Sequence, residues 1–231
     1  MRVWLLLVLP SVLCASLALP AAEVPTATVE GTVAYQPDAK RRWRYSRYYI
    51  ADPKNGALAE SVVALRIPRK MRAPAAKSAV THTIDQVDFR FTPETIAIRL
   101  GDKVRFTNND GRLHNVQTRD GLKPFNFNLS ADDEMFHTFL RAGGTRKPIR
   151  LGCALHGGMK AWIFVFDHPW HQLTVKDGKY RFENVPPGEY ELRMAHPAGE
   201  LSWKKKITVA PNDKLHLDIH VSPDNLKDKN S

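Results

Sequence analysis

Apolar and polar residues alternate in short runs along most of this chain, and Gly, Pro, Asn or Asp separates one run from the next. A period of two places the apolar side chains of a strand on one face, whereas a surface helix needs a period of 3.6. The helical period is nearly absent after the first 22 residues. The sequence therefore predicts an all-β fold made of two small β-sandwiches.

The predicted strands form two groups along the chain. The first group is Thr28–Tyr35, Ser61–Ile67, Thr81–Phe89, Thr95–Leu100, Lys103–Asn108, Asn115–Thr118, Glu134–Leu140, Ile149–Cys153 and Ala161–Phe166. The second group is His171–Val175, Lys179–Glu183, Gly188–Ala195, Trp203–Val209 and Lys214–Val221.

Two breaks divide these strands into segments. Residues 68–79 are rich in Pro, Lys and Arg and are predicted to be a linker. The second break is His168-Pro169-Trp170, and we interpret its histidine and His171 as packing or linker residues. The segment between the breaks, residues 80–167, has the length of a small β-sandwich. The polar tail, residues 223–231, is predicted to be frayed.

The N-terminus has the pattern of a secretory signal peptide. Arg2 precedes an apolar stretch from Val3 to Leu19, and small residues follow. We expect residues 1–22 to be removed by cleavage near Ala22, with Ala18 as the alternative site. A periplasmic or secreted location follows.

Two other interpretations of this leader stay open. A retained membrane anchor is one, although Pro10 and Ser11 interrupt a stretch that barely reaches the roughly 20 residues of a spanning helix. Lipidation of Cys14 is the other, although bulky Leu13 occupies a position where lipoprotein signals carry a small residue. After cleavage we expect no stable membrane span.

The charge of the chain indicates acidic partners. The sequence has 34 basic and 24 acidic residues, and the leader holds one of the basic residues, Arg2, so the mature balance is +9. Nucleic acid is the usual partner of a basic protein, but an exported protein rarely meets it. We therefore expect an acidic redox protein or an anionic envelope surface. The oligomeric state stays undetermined.

Cys153 is the one cysteine left when the leader and its Cys14 are removed, so no internal disulfide can form. A lone cysteine in an oxidising compartment is either a buried structural thiol or a metal ligand. The run from Cys153 through His156 to Met159 supports the second role, with His114 upstream. Two imidazoles, one thiolate and a weak thioether suit a single copper ion that transfers one electron.

Residues 80–166 resemble the cupredoxin family, the blue copper proteins such as plastocyanin and especially amicyanin. The resemblance rests on Phe91-Thr92-Pro93, on Leu100-Gly101-Asp102 with the strand from Val104 to Asp110, on His114-Asn115-Val116 and on the Cys-x-x-His-x-x-Met loop from Cys153. It implies a Greek-key β-sandwich with one type 1 copper. A sandwich of this kind that binds no metal is the alternative.

The resemblance also implies roles for individual residues. His114, Cys153 and His156 would bind copper, and Met159 would be the long axial ligand. Asn115 would tie the two ligand-bearing segments together by hydrogen bonds. His156 would be the exit for the electron, and the residues around it that allow close approach of a partner would be Leu155, Gly157 and Gly158.

The stretch from Lys176 to Leu192 resembles the carboxypeptidase regulatory-like domains, which are small transthyretin-like β-sandwiches. Asp177-Gly178 and Pro186-Pro187-Gly188 supply its turns. The strands that normally open this family are missing here but occur within residues 24–67. We expect residues 24–67 and 168–222 to form one sandwich, with a structural or docking role, into which the copper domain is inserted. The combination is similar to exported methylamine-utilisation or plastocyanin-like proteins.

These observations favour an exported copper protein that shuttles single electrons. A copper carrier or sensor, and a cell-surface interaction module with a relic metal site, are the alternatives. We do not expect an enzyme, because protein ligands fill the copper positions and no acid/base pair is evident.

Overall fold

The structure is a computed structural model, and it describes residues 25–36, 50, 54–72, 78–222 and 225. The predicted leader, the middle of the predicted linker and nearly all of the predicted tail lie outside these residues. Within the described ranges, no helix has both the length and the apolar character that crossing a membrane requires.

The described residues form strands joined by turns, with two short 3-10 helices at Arg69–Met71 and Gly144–Arg146, so the all-β prediction is confirmed. The strands are β1 Ala27–Tyr35, β2 Val62–Arg66, β3 Thr81–Val87, β4 Arg90–Thr92, β5 Thr95–Arg99, β6 Lys103–Asn108, β7 His114–Thr118, β8 Phe125–Leu129, β9 Glu134–Thr138, β10 Ile149–Gly152, β11 Lys160–Phe166, β12 His171–Leu173, β13 Lys179–Val185, β14 Gly188–His196, β15 Leu201–Val209, β16 Lys214–His216 and β17 Ile219–Val221.

Strands β3 to β11 form a sandwich of two sheets, which we call the inner sandwich. One sheet has the order β5-β11-β10-β7-β8 and the other β4-β3-β6-β9. Two parallel pairs, β3 with β6 and β5 with β11, join strands that are not neighbours in sequence. The two sheets enclose one apolar core, in which Ile84, Phe106 and Val116 are fully buried.

Strands β1, β2 and β12 to β17 form a second sandwich, the outer sandwich. β1 lies between β13 and the pair β16 and β17, while β2 lies between β12 and β14. Every second residue of β1 is buried, as the alternating sequence predicts. Tyr35 and Leu65 from the early strands share one core with Tyr180 and Leu192 from the late strands. The early strands therefore find their pairing partners about 110 to 190 residues later in the chain.

The two sandwiches meet at β11. Its side chains Ile163 and Val165 point into the inner core, whereas Phe164 and Phe166 pack against β2 and β14 of the outer sandwich. A strand buried on both faces is continuously apolar instead of alternating, which explains the run in β11. His171 stacks on Phe166 at 4.3 Å between ring centroids, so this histidine packs at the junction.

The predicted strand pattern was wrong in several places. It contained neither β4 nor β8. In β8 the apolar Phe125, Phe127 and Leu129 alternate with two asparagines, a residue type that is common in turns. The strand predicted at Thr81–Phe89 ends at Val87, because Asp88 and Phe89 turn with positive φ.

The single strand predicted at Lys214–Val221 is two strands. The chain bends between β16 and β17, where the Leu217 amide donates to Glu30 and the Leu217 carbonyl accepts from the Tyr180 hydroxyl. Gly31 on β1 makes room for this bend: a Cβ at that position would lie 2.1 Å from the Leu217 carbonyl oxygen. The bend therefore depends on a tertiary contact rather than on a local turn signal.

Candidate metal centre

Three neighbouring strands bring the predicted ligands to one end of the inner sandwich. His114 is the first residue of β7, and Cys153 directly follows β10. β10 lies between β7 and β11, and the connection from β10 to β11 carries His156 and ends at Met159. The Met159 amide donates to the His156 carbonyl at 3.0 Å, which closes this connection as a tight turn.

The side chains of His114, Cys153 and His156 converge. Their potential ligand atoms all lie within 4.8 Å of one another. The two Nδ1 atoms are 3.0 Å apart, and Cys153 Sγ is 3.6 Å from His156 Nδ1. With bonds of roughly 2.0–2.3 Å, a tetrahedral metal ion holds two of its ligand atoms about 3–4 Å apart, and the 3.0 and 3.6 Å separations have this spacing. The donor set and its spacing therefore fit a single ion that prefers sulfur and imidazole, such as copper.

Asp110 fixes which nitrogen of His114 is available. His114 Nε2 donates to Asp110 Oδ2 at 2.9 Å, so Nδ1 keeps its lone pair and points toward the other ligands. The His114 side chain is fully buried. The pKa of Asp110 lies below its usual value, because the carboxylate accepts hydrogen bonds from the Phe89 amide and from His114. A charged acceptor thus sits behind the buried imidazole.

Phe89 covers the two histidines from outside. Its ring meets the rings of His114 and His156 edge to face, at 5.4 and 5.0 Å between centroids. Asp88 and Phe89 both have positive φ, which is the backbone of a type I′ hairpin turn between β3 and β4. A non-glycine residue in this region costs about 1–2 kcal/mol, and such strain is often found at functional sites.

Asn115 connects the two segments that carry the ligands. Its side-chain Oδ1 accepts a hydrogen bond from the Ala154 backbone amide at 3.1 Å. Its own backbone amide donates to Cys153 Sγ at 3.3 Å. Its Nδ2 donates to the Phe127 carbonyl at 2.9 Å and to Asn128 Oδ1 on β8 at 3.1 Å. The cysteine sulfur is thus held by a backbone donor, and Asn115 is buried among partners on both sides.

Met159 and the predicted docking residues occupy different environments. Met159 is 2% exposed and belongs to the same core as Cys153. Leu155 is 52% exposed, and Gly157 and Gly158 are also exposed beside the half-buried His156. A Cβ added at either glycine would meet no atom within 4 Å, so the surface at this point is open.

Two residues of the site were missed in the sequence analysis. Asp110 could have been found, because an acid four residues before a predicted ligand histidine is a ready partner for its second nitrogen. Phe89 could not, since the alternating pattern placed it inside a strand. The β3–β4 turn brings the Phe89 ring over the histidines through a tertiary contact, which no local sequence pattern indicates.

Comparisons with known proteins agree with the chemistry of this site. Residues 78–180 match the family of copper binding proteins described as the plastocyanin/azurin family. No curated protein matches the chain. The matched residues contain all four predicted ligands, and the finding supports a copper-binding domain of this family within the chain.

Solved structures similar to the chain each align with less than half of it. A novel purple cupredoxin from Nitrosopumilus maritimus is 23% identical, with 37% of this chain and 98% of that chain covered, at a TM-score of 0.32. Amicyanin from Paracoccus versutus is 18% identical, with 44% of this chain and 97% of that chain covered, at a TM-score of 0.33. A copper-containing nitrite reductase from Thermus scotoductus is 23% identical, with 44% of this chain but 27% of that chain covered, at 0.34.

Proposed function

We propose that this chain, with its plastocyanin/azurin-family copper-binding domain, is an exported type 1 copper protein that passes single electrons between redox partners. The observation that carries the proposal is the convergence of one cysteine sulfur and two imidazole nitrogens within 4.8 Å at one end of a β-sandwich. Bound copper would supply the one-electron couple. A copper-binding carrier is the second candidate, and it would use the same ligands.

The protein would contribute a metal site whose ligand positions change little when the copper ion gains or loses an electron. Asp110 holds His114 from one side, and Asn115 holds the Cys153 segment from the other. Because these partners belong to strands and tight turns, the ligand atoms are pre-positioned, and rearrangement during electron transfer is small. Met159 would complete the set as a weak axial ligand.

The proposed route for the electron is through His156 at the exposed end of the site. Three apolar side chains that are about half exposed belong to this end of the sandwich. Phe89 contacts the ring of the half-buried His156, Leu155 precedes His156, and Leu113 precedes His114. An apolar rim allows a partner to approach closely with little cost of removing water from charged groups. The basic balance of the whole chain would draw an acidic redox protein toward it. We propose a periplasmic or secreted location for this exchange.

For the outer sandwich we propose a carboxypeptidase regulatory-like domain with a structural or docking role. The pairing of β1 with β13 and of β2 with β14 supports one sandwich interrupted by the copper domain. Limited proteolysis tests this division. Release of residues 168–231 as an independently folded fragment would contradict it.

Copper titration of the purified mature protein, followed by optical and electron paramagnetic spectra, tests the proposed function. We expect one copper per chain and an intense thiolate band that disappears on reduction. Cys153→Ser and His114→Gln should lose the band, whereas His220→Gln, which removes an exposed imidazole of the outer sandwich, should keep it. A protein that stays colourless after loading would overturn the proposal.

Voltammetry separates the electron shuttle from the carrier. A reversible potential together with fast self-exchange supports the shuttle. Ready transfer of Cu(I) to a chelating acceptor, with slow self-exchange, would support the carrier instead.

A further inference from the structure

A cavity of about 260 Å³ lies where the two sandwiches meet, on the side of β11 away from the inner core. Both sandwiches contribute to its wall. The outer sandwich supplies residues of β2 and β14, and the inner sandwich supplies the end of β11 and the 3-10 helix Gly144–Arg146. Its volume far exceeds the roughly 30 Å³ that one water molecule occupies in the liquid. It can therefore hold a small molecule of several heavy atoms.

Four arginines line this cavity together with a single acidic residue. The basic residues are Arg66, Arg72, Arg146 and Arg193, and the acid is Asp167. Asp167 pairs with Arg72 at 3.5 Å, and Arg193 pairs with Glu191 on its own strand. In the part of the chain that the structure describes, Arg66 and Arg146 have no ion pair. A concave surface of this kind concentrates positive potential.

His168 is a residue of the same wall and has a buried polar atom without a partner in the described part of the chain. It is 5% exposed, and among the described residues its Nδ1 has no hydrogen-bond partner. The ring is held by aromatic contacts with Phe166 and Trp170 rather than by polar bonds. Buried polar groups nearly always have a partner, because an unpaired one costs about 1–3 kcal/mol. A ligand with acceptor oxygens would provide that partner when Nδ1 carries the proton.

Electrostatics around His168 point to the same ligand class. Burial lowers the pKa of His168 to about 4, with the nearby charges of Arg99 and Arg72 acting in the same direction. The imidazole is therefore neutral at pH 7, and the net charge of the cavity comes from the arginines. Guanidinium groups bind carboxylate and phosphate oxygens in pairs, which makes arginine the preferred residue for such ligands.

We propose that this cavity is a binding site for a small multivalent oxyanion, carried by a phosphate ester or a polycarboxylate, held by Arg66, Arg146 and the Nδ1 of His168. The site is separate from the candidate metal centre and joins the two sandwiches. An occupant would contact both of them at once, so its binding would stabilise their contact.

The test uses calorimetric titration of the full mature chain, loaded with Cu(I), with inorganic phosphate, glycerol phosphate and citrate at an ionic strength fixed with chloride. We expect one site per chain for at least one of these anions. The double variant Arg66→Gln/Arg146→Gln should bind it roughly tenfold more weakly or worse, since two charge-assisted contacts are lost. Both arginines are exposed, so the fold should survive. The matched control is Arg119→Gln, which removes an exposed guanidinium that does not line the cavity.

A second measurement follows His168 directly. The nitrogen NMR shift of its Nδ1 should move when the anion is added and stay constant when only chloride is added. Preference for glycerol phosphate or for citrate would identify which of the two anion carriers fits. Two results would overturn the proposal. One is equal affinity of the double variant and the wild type, and the other is a dissociation constant above about 10 mM for all three probes.

Discussion

Asp110 bonds both to a ligand histidine of the metal centre and to the turn that covers this centre. One of its oxygens accepts from the Phe89 amide at 3.0 Å and from His114 Nε2 at 2.9 Å. The first bond holds the strained turn that carries the covering phenyl ring, and the second orients a ligand. A single carboxylate thus sets the position of a ligand histidine and of the ring that shields it.

Replacing this carboxylate by an amide should weaken the hold on the metal. In Asp110→Asn we expect copper(II) affinity to fall by about 10–100-fold, the usual effect of losing an outer-shell partner of a ligand histidine. The potential should rise, because a less basic imidazole stabilises Cu(II) less. Competition with a chelator and voltammetry measure the two effects. Asp88→Asn removes the same charge from the adjacent β3–β4 turn, where Asp88 is exposed. A similar loss in Asp88→Asn would mean that charge alone is responsible.

Met159 offers a separate test, since its role is to tune the site rather than to hold the ion. A glutamine oxygen is a harder donor that favours Cu(II), so Met159→Gln should lower the potential while copper stays bound. Met159→Leu provides no donor and should raise the potential. Voltammetry of both variants checks the opposite signs. Unchanged potentials in both would show that the thioether does not contact the metal.

At the scale of elements, the connection from β10 to β11 and the bend between β16 and β17 use glycine differently. A Cβ at Gly157 meets open space, whereas a Cβ at Gly31 would lie 2.1 Å from a backbone oxygen. Gly157 leaves the surface beside His156 without a side chain. Gly31 permits β1 and the bend at Leu217 to approach each other closely. The sequence alone does not distinguish these cases.

This contrast predicts opposite outcomes for the same substitution. Gly157→Ala should change the free energy of unfolding by no more than about 0.5 kcal/mol and keep the copper spectrum. Gly31→Ala should destabilise the chain by about 1–3 kcal/mol, because backbone must move to relieve the overlap. Denaturant unfolding of both variants measures the difference. Equal stability of the two variants would contradict the role assigned to Gly31.

Strand prediction succeeded where burial alternates and failed where tertiary contacts decide. Nearly every predicted strand of the inner sandwich lies within a few residues of an observed one, and the ligand loop lies between two of them. β8 was missed because asparagine is a common turn residue, although here Asn126 and Asn128 belong to a strand that bonds to Asn115. The positions of Asp110 and Phe89 at the metal centre follow from the folded turn and not from any periodicity.

At the scale of the whole molecule, histidines pack at and near the junction between the sandwiches. The buried His168 and the partly buried His171 lie at the junction, and His196 is fully buried at the end of β14. Burial is the first cause that lowers the pKa of each of them to about 4. In an unfolded chain a histidine has a pKa near 6.5. Between these values the unfolded chain takes up protons that the folded chain does not.

Stability should therefore be complete above about pH 6.5 and fall as the pH drops toward 4. His168 and His196, the two of these three with the least exposed surface, each contribute on the order of 3 kcal/mol to this loss. Denaturant unfolding of metal-free protein at several pH values measures the slope. His171→Phe keeps a ring to stack on Phe166 and should flatten the slope, whereas His220→Gln should not. A wild-type stability independent of pH in this range would refute the assignment.

The interrupted outer sandwich also determines the order in which the chain can fold. β1 and β2 are made first, yet β1 needs β13, β16 and β17 on its two edges, and Arg181 pairs with Glu30 across 151 positions of sequence. Such distant contacts form slowly, whereas the contiguous inner sandwich can close by itself. Until β16 and β17 arrive, β1 presents an open edge, which is a template for aggregation. A chain truncated before β16 should therefore fold its copper domain and still precipitate.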